Sequence, residues 1–98
     1  MAANKKLTPL LRGRTIQAVS QIDALATISF SDGSALMIKT GSPLGQLDFQ
    51  DRRVLKVRQT GVRMNLDLDD GSTLEIRLAE AMSSVMLRDG GGTLEYAD

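Results

Sequence analysis

The chain contains neither cysteine nor histidine. Without cysteine there can be no disulfide, no zinc–thiolate site and no thiol nucleophile. Without histidine the commonest general base and the commonest transition-metal ligand are both missing. Any catalysis would fall to carboxylates, Lys, Arg, Ser, Thr or the single tyrosine, and this argues for a non-enzymatic protein. Aromatics are almost as scarce: Phe30, Phe49 and Tyr96 are the whole set, with no Trp. Leu, Ile, Val and Met must therefore fill the interior, and Met37, Met64, Met82 and Met86 read as core filler. No apolar run reaches the roughly 20 residues of a membrane-spanning helix. The opening MAANKKLTPLLRG lacks the 7–15-residue apolar stretch, roughly, of a secretion signal. The expectation is a soluble, cytoplasmic protein.

Ninety-eight residues, 42% of them hydrophobic, suit one domain with one modest core. Residues 1–98 are read as that domain, with 1–7 a loose arm. Net charge is zero, but it is unevenly spread. Residues 1–63 hold ten Lys/Arg against four Asp/Glu, and residues 64–98 hold two against eight, giving +6 and −6. Either oppositely charged faces meet within one fold, or the basic face of one copy meets the acidic face of another.

What the chain does contain is a repeated hairpin pattern. ATISFSDGSALMIKT (26–40) and MNLDLDDGSTLEIRL (64–78) each place apolar residues at alternate positions around a central Asp-Gly. SSVMLRDGGGTLEYA (83–97) is a fainter third copy. In the second copy Met64, Leu66, Leu68, Leu74, Ile76 and Leu78 are all even-numbered. Paired residues point to the same face, so apolar partners must have an even sum and the loop must be odd. Asp69-Asp70-Gly71 fits a type I turn closed by a left-handed glycine. This predicts Leu66 opposite Leu74 and Met64 opposite Ile76. Ser31-Asp32-Gly33 likewise predicts Ile28 opposite Leu36 and Ala26 opposite Ile38. In the third copy the parity differs on the two sides and predicts an even loop, Asp89–Gly92. A helix over 79–88 competes with that hairpin, because Leu78, Met82, Val85 and Met86 share a helical face.

Elsewhere, Thr8-Pro9 is suited to start a short helix through Arg12, with Thr8 as its cap. Residues 14–20 read as a first strand, although a helix interrupted by Gly13 also fits. GSPLGQ (41–46) is loop. Residues 52–59 form a strand with Leu55 and Val57 inward, turning at Thr60-Gly61, so 52–78 is a three-stranded meander. The fold class is mainly β: a small antiparallel barrel or sandwich of about six or seven short strands built from hairpins, with a short N-terminal helix as an option.

The densest carboxylate cluster, LDLDDG (66–71), fails as a calcium loop. With Gly71 at the sixth position, the first and third positions fall on Leu66 and Leu68, and the twelfth on Arg77. Asp and Gly there are turn residues. Ser34, Ser72, Ser83 and Ser84 have no histidine partner and no Gly-x-Ser-x-Gly elbow, and Gly90-Gly91-Gly92 lacks the Lys-Ser/Thr of a phosphate-binding loop. No catalytic, metal-binding or cofactor-binding residue is assigned. The one specific site expectation is cationic. A Thr60-Gly61 turn places Arg58 opposite Arg63, and Arg63 faces Arg77 across the next hairpin, with Lys56 beside Asn65. Such a row would take an anion or an acidic partner. A protein partner or homo-oligomer is therefore expected. The alternative is single-stranded nucleic acid or another polyanion along Arg52–Arg63, which the zero net charge and missing stacking aromatics disfavour.

Overall fold

The computed structural model describes residues 2–98. Nine strands and one short helix follow in the order β1 (Ala2–Ala3), α1 (Leu7–Leu11), β2 (Ile16–Ile22), β3 (Leu25–Phe30), β4 (Ala35–Lys39), β5 (Val54–Thr60), β6 (Arg63–Leu68), β7 (Thr73–Arg77), β8 (Val85–Arg88) and β9 (Leu94–Ala97). They make two antiparallel sheets, β1-β5-β6-β7 and β2-β3-β4-β8-β9. The architecture is a sandwich of open sheets rather than a closed barrel, with more strands than the six or seven expected. The two-residue β1 carries no periodicity by which it could be seen in advance.

The hairpin registers follow the parity of the apolar residues. Leu66 faces Leu74 and Met64 faces Ile76; Ile28 faces Leu36 and Ala26 faces Ile38. All eight are buried. Each loop has three residues and closes through a glycine at positive φ, Gly33 at 89° and Gly71 at 86°, a conformation that costs other residues about 1 kcal/mol.

The two meanders β2-β3-β4 and β5-β6-β7 are equivalent at an offset of 38 residues, and the equivalence extends well beyond the repeat visible in sequence. Ile16 N–H donates to the Arg52 carbonyl and Val54 N–H to the Arg14 carbonyl; Ser31 N–H donates to Thr15 and Asp69 N–H to Arg53. The bridges Thr15–Arg53 and Thr40–Leu78 each join a residue to its own counterpart. They therefore lie on a pseudo-twofold axis and tie the sheets together at both corners. Leu11 and Phe49, also 38 apart, close the core at equivalent places.

Several local expectations need correction. Leu55 does not point inward but is 46% exposed. A bulge between Val54 and Lys56 inserts it as an extra residue, so Val54 and Val57 are the buried pair. Ile16 and Val19 repeat this in β2, where the register shifts between Ile16 and Ala18. The third hairpin is a hairpin and not a helix, but its parity is not resolved by an even loop. Asp89 and Thr93 close the three-residue loop Gly90–Gly92, and a bulge in β9 then brings Leu87 opposite Tyr96. The helix starts earlier than Thr8: the Asn4 side-chain oxygen accepts from Leu7 N–H at 2.8 Å. The Thr8 hydroxyl instead binds the Val57 N–H at 3.0 Å and carbonyl at 3.1 Å. Of the arm expected over 1–7, Met1 lies outside the described residues. Ala2–Leu7 is docked, with Ala2 opposite Gln59 and Leu7 buried.

Because the space around Gly71 is open, Gly71→Ala should cost about 1 kcal/mol through backbone strain alone. Deleting Asp70 makes the loop even and turns one strand's apolar residues to water. That variant should lose cooperative urea unfolding, whereas Gly71→Ala keeps it with a lower midpoint.

Candidate functional site: one charged and one uncharged sheet face

The outer face of β5-β6-β7 carries the charges. Arg63 does face Arg77, and among the described residues neither joins an ion pair. Arg58, however, faces Asn65, and Lys56 faces Asp67. The turn is Gly61-Val62, with Gly61 at φ 58°, so Thr60 rather than Arg58 stands opposite Arg63. The expected row of three arginines is therefore a pair. Arg58 instead makes a two-pronged contact with Asp67, both nitrogens at 2.8 Å, and the Thr73 hydroxyl adds a third bond at 3.1 Å. Hydrogen bonds from Arg58, with a smaller contribution from Thr73, hold the Asp67 carboxyl below its ordinary value, and Asp67 in turn raises Arg58.

Two other basic residues of 52–63 are also engaged. Arg52 reaches Asp70 at 2.9 Å and lies over the Phe49 ring, and Arg53 reaches Asp69 at 3.6 Å. By the repeat, Arg14 contacts Asp32 at 3.7 Å, and it also reaches Glu95 at 3.1 Å. Four of these five pairs link the basic stretch 1–63 to the acidic stretch 64–98. The charge asymmetry is thus partly neutralised inside one molecule, through Arg14, Arg52, Arg53 and Arg58. The carboxylates of LDLDDG serve the same end: Asp70 accepts the Ser72 hydroxyl and amide across the turn, Asp69 accepts the Arg53 amide, and Asp67 holds Arg58. No cluster of three or more potential metal ligands occurs among the described residues, and no helix there is long and apolar enough to cross a membrane.

The outer face of the other sheet is chemically opposite. Its central row runs Ser20, Thr27, Met37, Met86, Ala97 across all five strands. The row on one side is Ala18, Ser29, Ala35, Arg88, Leu94. On the other side Ile22 faces Leu25, which faces Lys39. Ile22 is 72% exposed. Its paired rows carry two charges, Lys39 and Arg88, at opposite ends of the β4–β8 pair, and Asp98 lies at the margin beside Ala97. Met37 and Met86 border a shallow depression of about 460 Å³. This face was missed in sequence because each strand shows only one or two of its residues, mixed with Ser and Thr. The two methionines were expected in the core, yet they lie on the outer side of β4 and β8 and are only half-buried; Met82, expected there too, is exposed, and of the four only Met64 is in the core.

The molecule is thus an antiparallel β-sandwich of two related meanders with one charged and one uncharged outer face. No protein-family model, curated protein or solved structure matches the chain.

Because Arg58 supplies both short hydrogen bonds from a cation to Asp67, Arg58→Ala should lower the urea midpoint. Arg63→Ala, which relieves a like-charge pair, should be neutral or stabilising by a few tenths of a kcal/mol. A depressed carboxylate contributes stability that is complete above its unfolded value, 3.8, and is lost as pH falls through the lower folded value. The difference between wild type and Arg58→Ala, followed by urea unfolding, should therefore be constant above that value and shrink below it.

Proposed function

We propose that this protein is a non-enzymatic assembly module that associates with a second copy through the uncharged outer face of β2-β3-β4-β8-β9. The observation that carries this reading is the composition of that face, a sheet surface with no charge in its central row and Lys39, Arg88 and Asp98 at its margins. Exposed apolar patches of this kind, rimmed by polar residues, mark interaction sites. With strands about 4.8 Å apart and about 3.4 Å per residue, the face spans roughly 400 Å² in projection. A standard interface buries about 800 Å² on each partner, so the association is reversible and concentration-dependent. Like charges do not oppose it, since Lys39 and Arg88 sit at opposite ends.

The internal ion pairs also bear on the polyanion alternative. With Arg52, Arg53 and Arg58 bound to carboxylates, the 52–63 segment offers little free positive charge to a phosphate backbone, whose contacts depend on it.

Sedimentation at several protein concentrations and two salt concentrations tests the proposal. Self-association should persist or strengthen at high salt, because apolar burial is not screened, and Met37→Glu should shift the chain to monomer with little loss of fold stability. A monomer under all conditions refutes the proposal, and association that disappears with salt assigns it to the charged face instead.

A further inference from the structure

The pseudo-twofold axis predicts more pairing than the chain supplies. On the β2-β3-β4 side, the outer edge of β4 is covered by β8, residue for residue from Ala35–Arg88 to Ile38–Val85. The equivalent edge of β7 has no strand on it. Leu78 N–H donates inward to Val62, so by alternation Thr73, Glu75 and Arg77 turn their backbone groups to the open side. Among the described residues only one of these groups is met from outside the sheet, the Arg77 carbonyl, by Gly41 N–H at 2.9 Å. The Lys39 carbonyl has the same partner in the repeat, Ala79 N–H at 2.8 Å, and β8 still fits beside it.

The segment that could have filled the edge runs alongside without joining it. Ser42, Pro43, Gly45, Gln46 and the buried Phe49 lie beside β7. They do not pair with β7, and two clefts remain along its length. One, about 260 Å³, lies between Gln46, Phe49 and Leu74 on the core side; the other, about 370 Å³, lies between Ser42 and the Arg63, Glu75 and Arg77 side chains on the outer side.

We infer that the β7 edge is an acceptor for an extended segment of a partner protein, added antiparallel over Thr73–Ile76 as β8 is added to β4. Main-chain bonds would supply affinity and the clefts specificity. The register of the template defines the segment's chemistry. Lys39 N–H donates to Ser84 in the repeat, so the first residue of the segment stands beside Arg77. There the unpaired guanidinium groups of Arg77 and Arg63 call for a carboxylate. Two residues later, in the position of Met86, the side chain meets Glu75 and is basic. The intervening residues stand opposite Ile76 and Leu74, the counterparts of Ile38 and Leu36, and are apolar. The pattern is acidic–apolar–basic–apolar.

A second copy's β7 does not meet these terms. With Gly41 closing the edge beyond Ile76, twofold pairing puts Thr73 against Glu75 and leaves both arginines without a carboxylate. Glu95 of β9 is already bound to Arg14. This site is separate from the uncharged face, and neither depends on the other.

The test uses the full chain and the capped peptide acetyl-Ser-Glu-Val-Lys-Val-Ser-amide, followed by NMR titration at millimolar peptide. Binding should saturate, shift the β7 amides and slow hydrogen exchange of the Thr73, Glu75 and Arg77 N–H groups. The charge-swapped peptide, with Lys and Glu exchanged, should bind at least tenfold more weakly, and Arg77→Glu should narrow or reverse that preference. Glu75→Pro removes one outward N–H without touching the β6 ladder; it should abolish binding where Glu75→Ala does not. No saturable binding, shifts confined to β2, β9 or the uncharged face, equal affinity for both peptides, or concentration-dependent β7 shifts without peptide would each overturn the inference, the last in favour of a second copy.

Discussion

The pairing of even-numbered apolar residues across three-residue loops is the constraint on which the rest of this structure depends. Each of the two main hairpins turns through a three-residue loop ending in Asp-Gly whose glycine is left-handed, at Gly33 and Gly71. A loop one residue shorter would expose half of the buried set, because side chains alternate with a period of two. Once the register holds, Ile28, Leu36, Leu66 and Leu74 meet in one interior, and the Asp beside each glycine is placed to bind the following serine and an arginine from the preceding strand's entry, Arg14 or Arg52.

The second organising feature is the exchange of backbone bonds about Thr15 and Arg53. It joins two like meanders at their corners and makes a single core from two units, neither of which could cover its own apolar face. The symmetry is then broken by what each end of the chain adds. Ala2–Ala3 extends β5, and the 85–97 hairpin extends β4. The edges of β2 and β7 have no such cover. Edge strands present unpaired donors and acceptors, so the broken symmetry, more than any single residue, decides which sheet edges are left without a strand.

Charge has a different role from the one its distribution along the chain suggests. The +6 and −6 stretches are adjacent in space, and arginines at 14, 52, 53 and 58 are bound to carboxylates at 32, 67, 69, 70 and 95. These partly exposed pairs each contribute little to stability, but they occupy cations that a phosphate backbone or an acidic surface would otherwise use. Arg63 and Arg77 stand side by side without a carboxylate, at the edge where a strand is missing, whereas Arg12 and Arg88 donate to backbone carbonyls. The apolar surface has collected on the opposite sheet.

Much of this was legible in the residues themselves. Alternation around Asp-Gly specifies hairpins, their loops and the core pairs Ile28–Leu36 and Leu66–Leu74 through local geometry alone, and the failed spacing of LDLDDG excludes a calcium loop without any structure. The bulges at Gln17 and Leu55 were not legible, because an inserted residue changes parity only where a neighbouring strand imposes it. Nor was the Gly61-Val62 turn, since one glycine serves either of two adjacent turns, and that one-residue choice decided whether Arg58 faced Arg63 or Asn65. The uncharged face could not be read from any single strand, being assembled from residues 18 to 97. Sequence by itself determined that this chain pairs as hairpins with a mixed aliphatic core and no histidine or cysteine chemistry. Which edges remain open, which arginines remain free and which face lacks charge were decided only by tertiary structure, because each depends on strands brought together from distant parts of the chain.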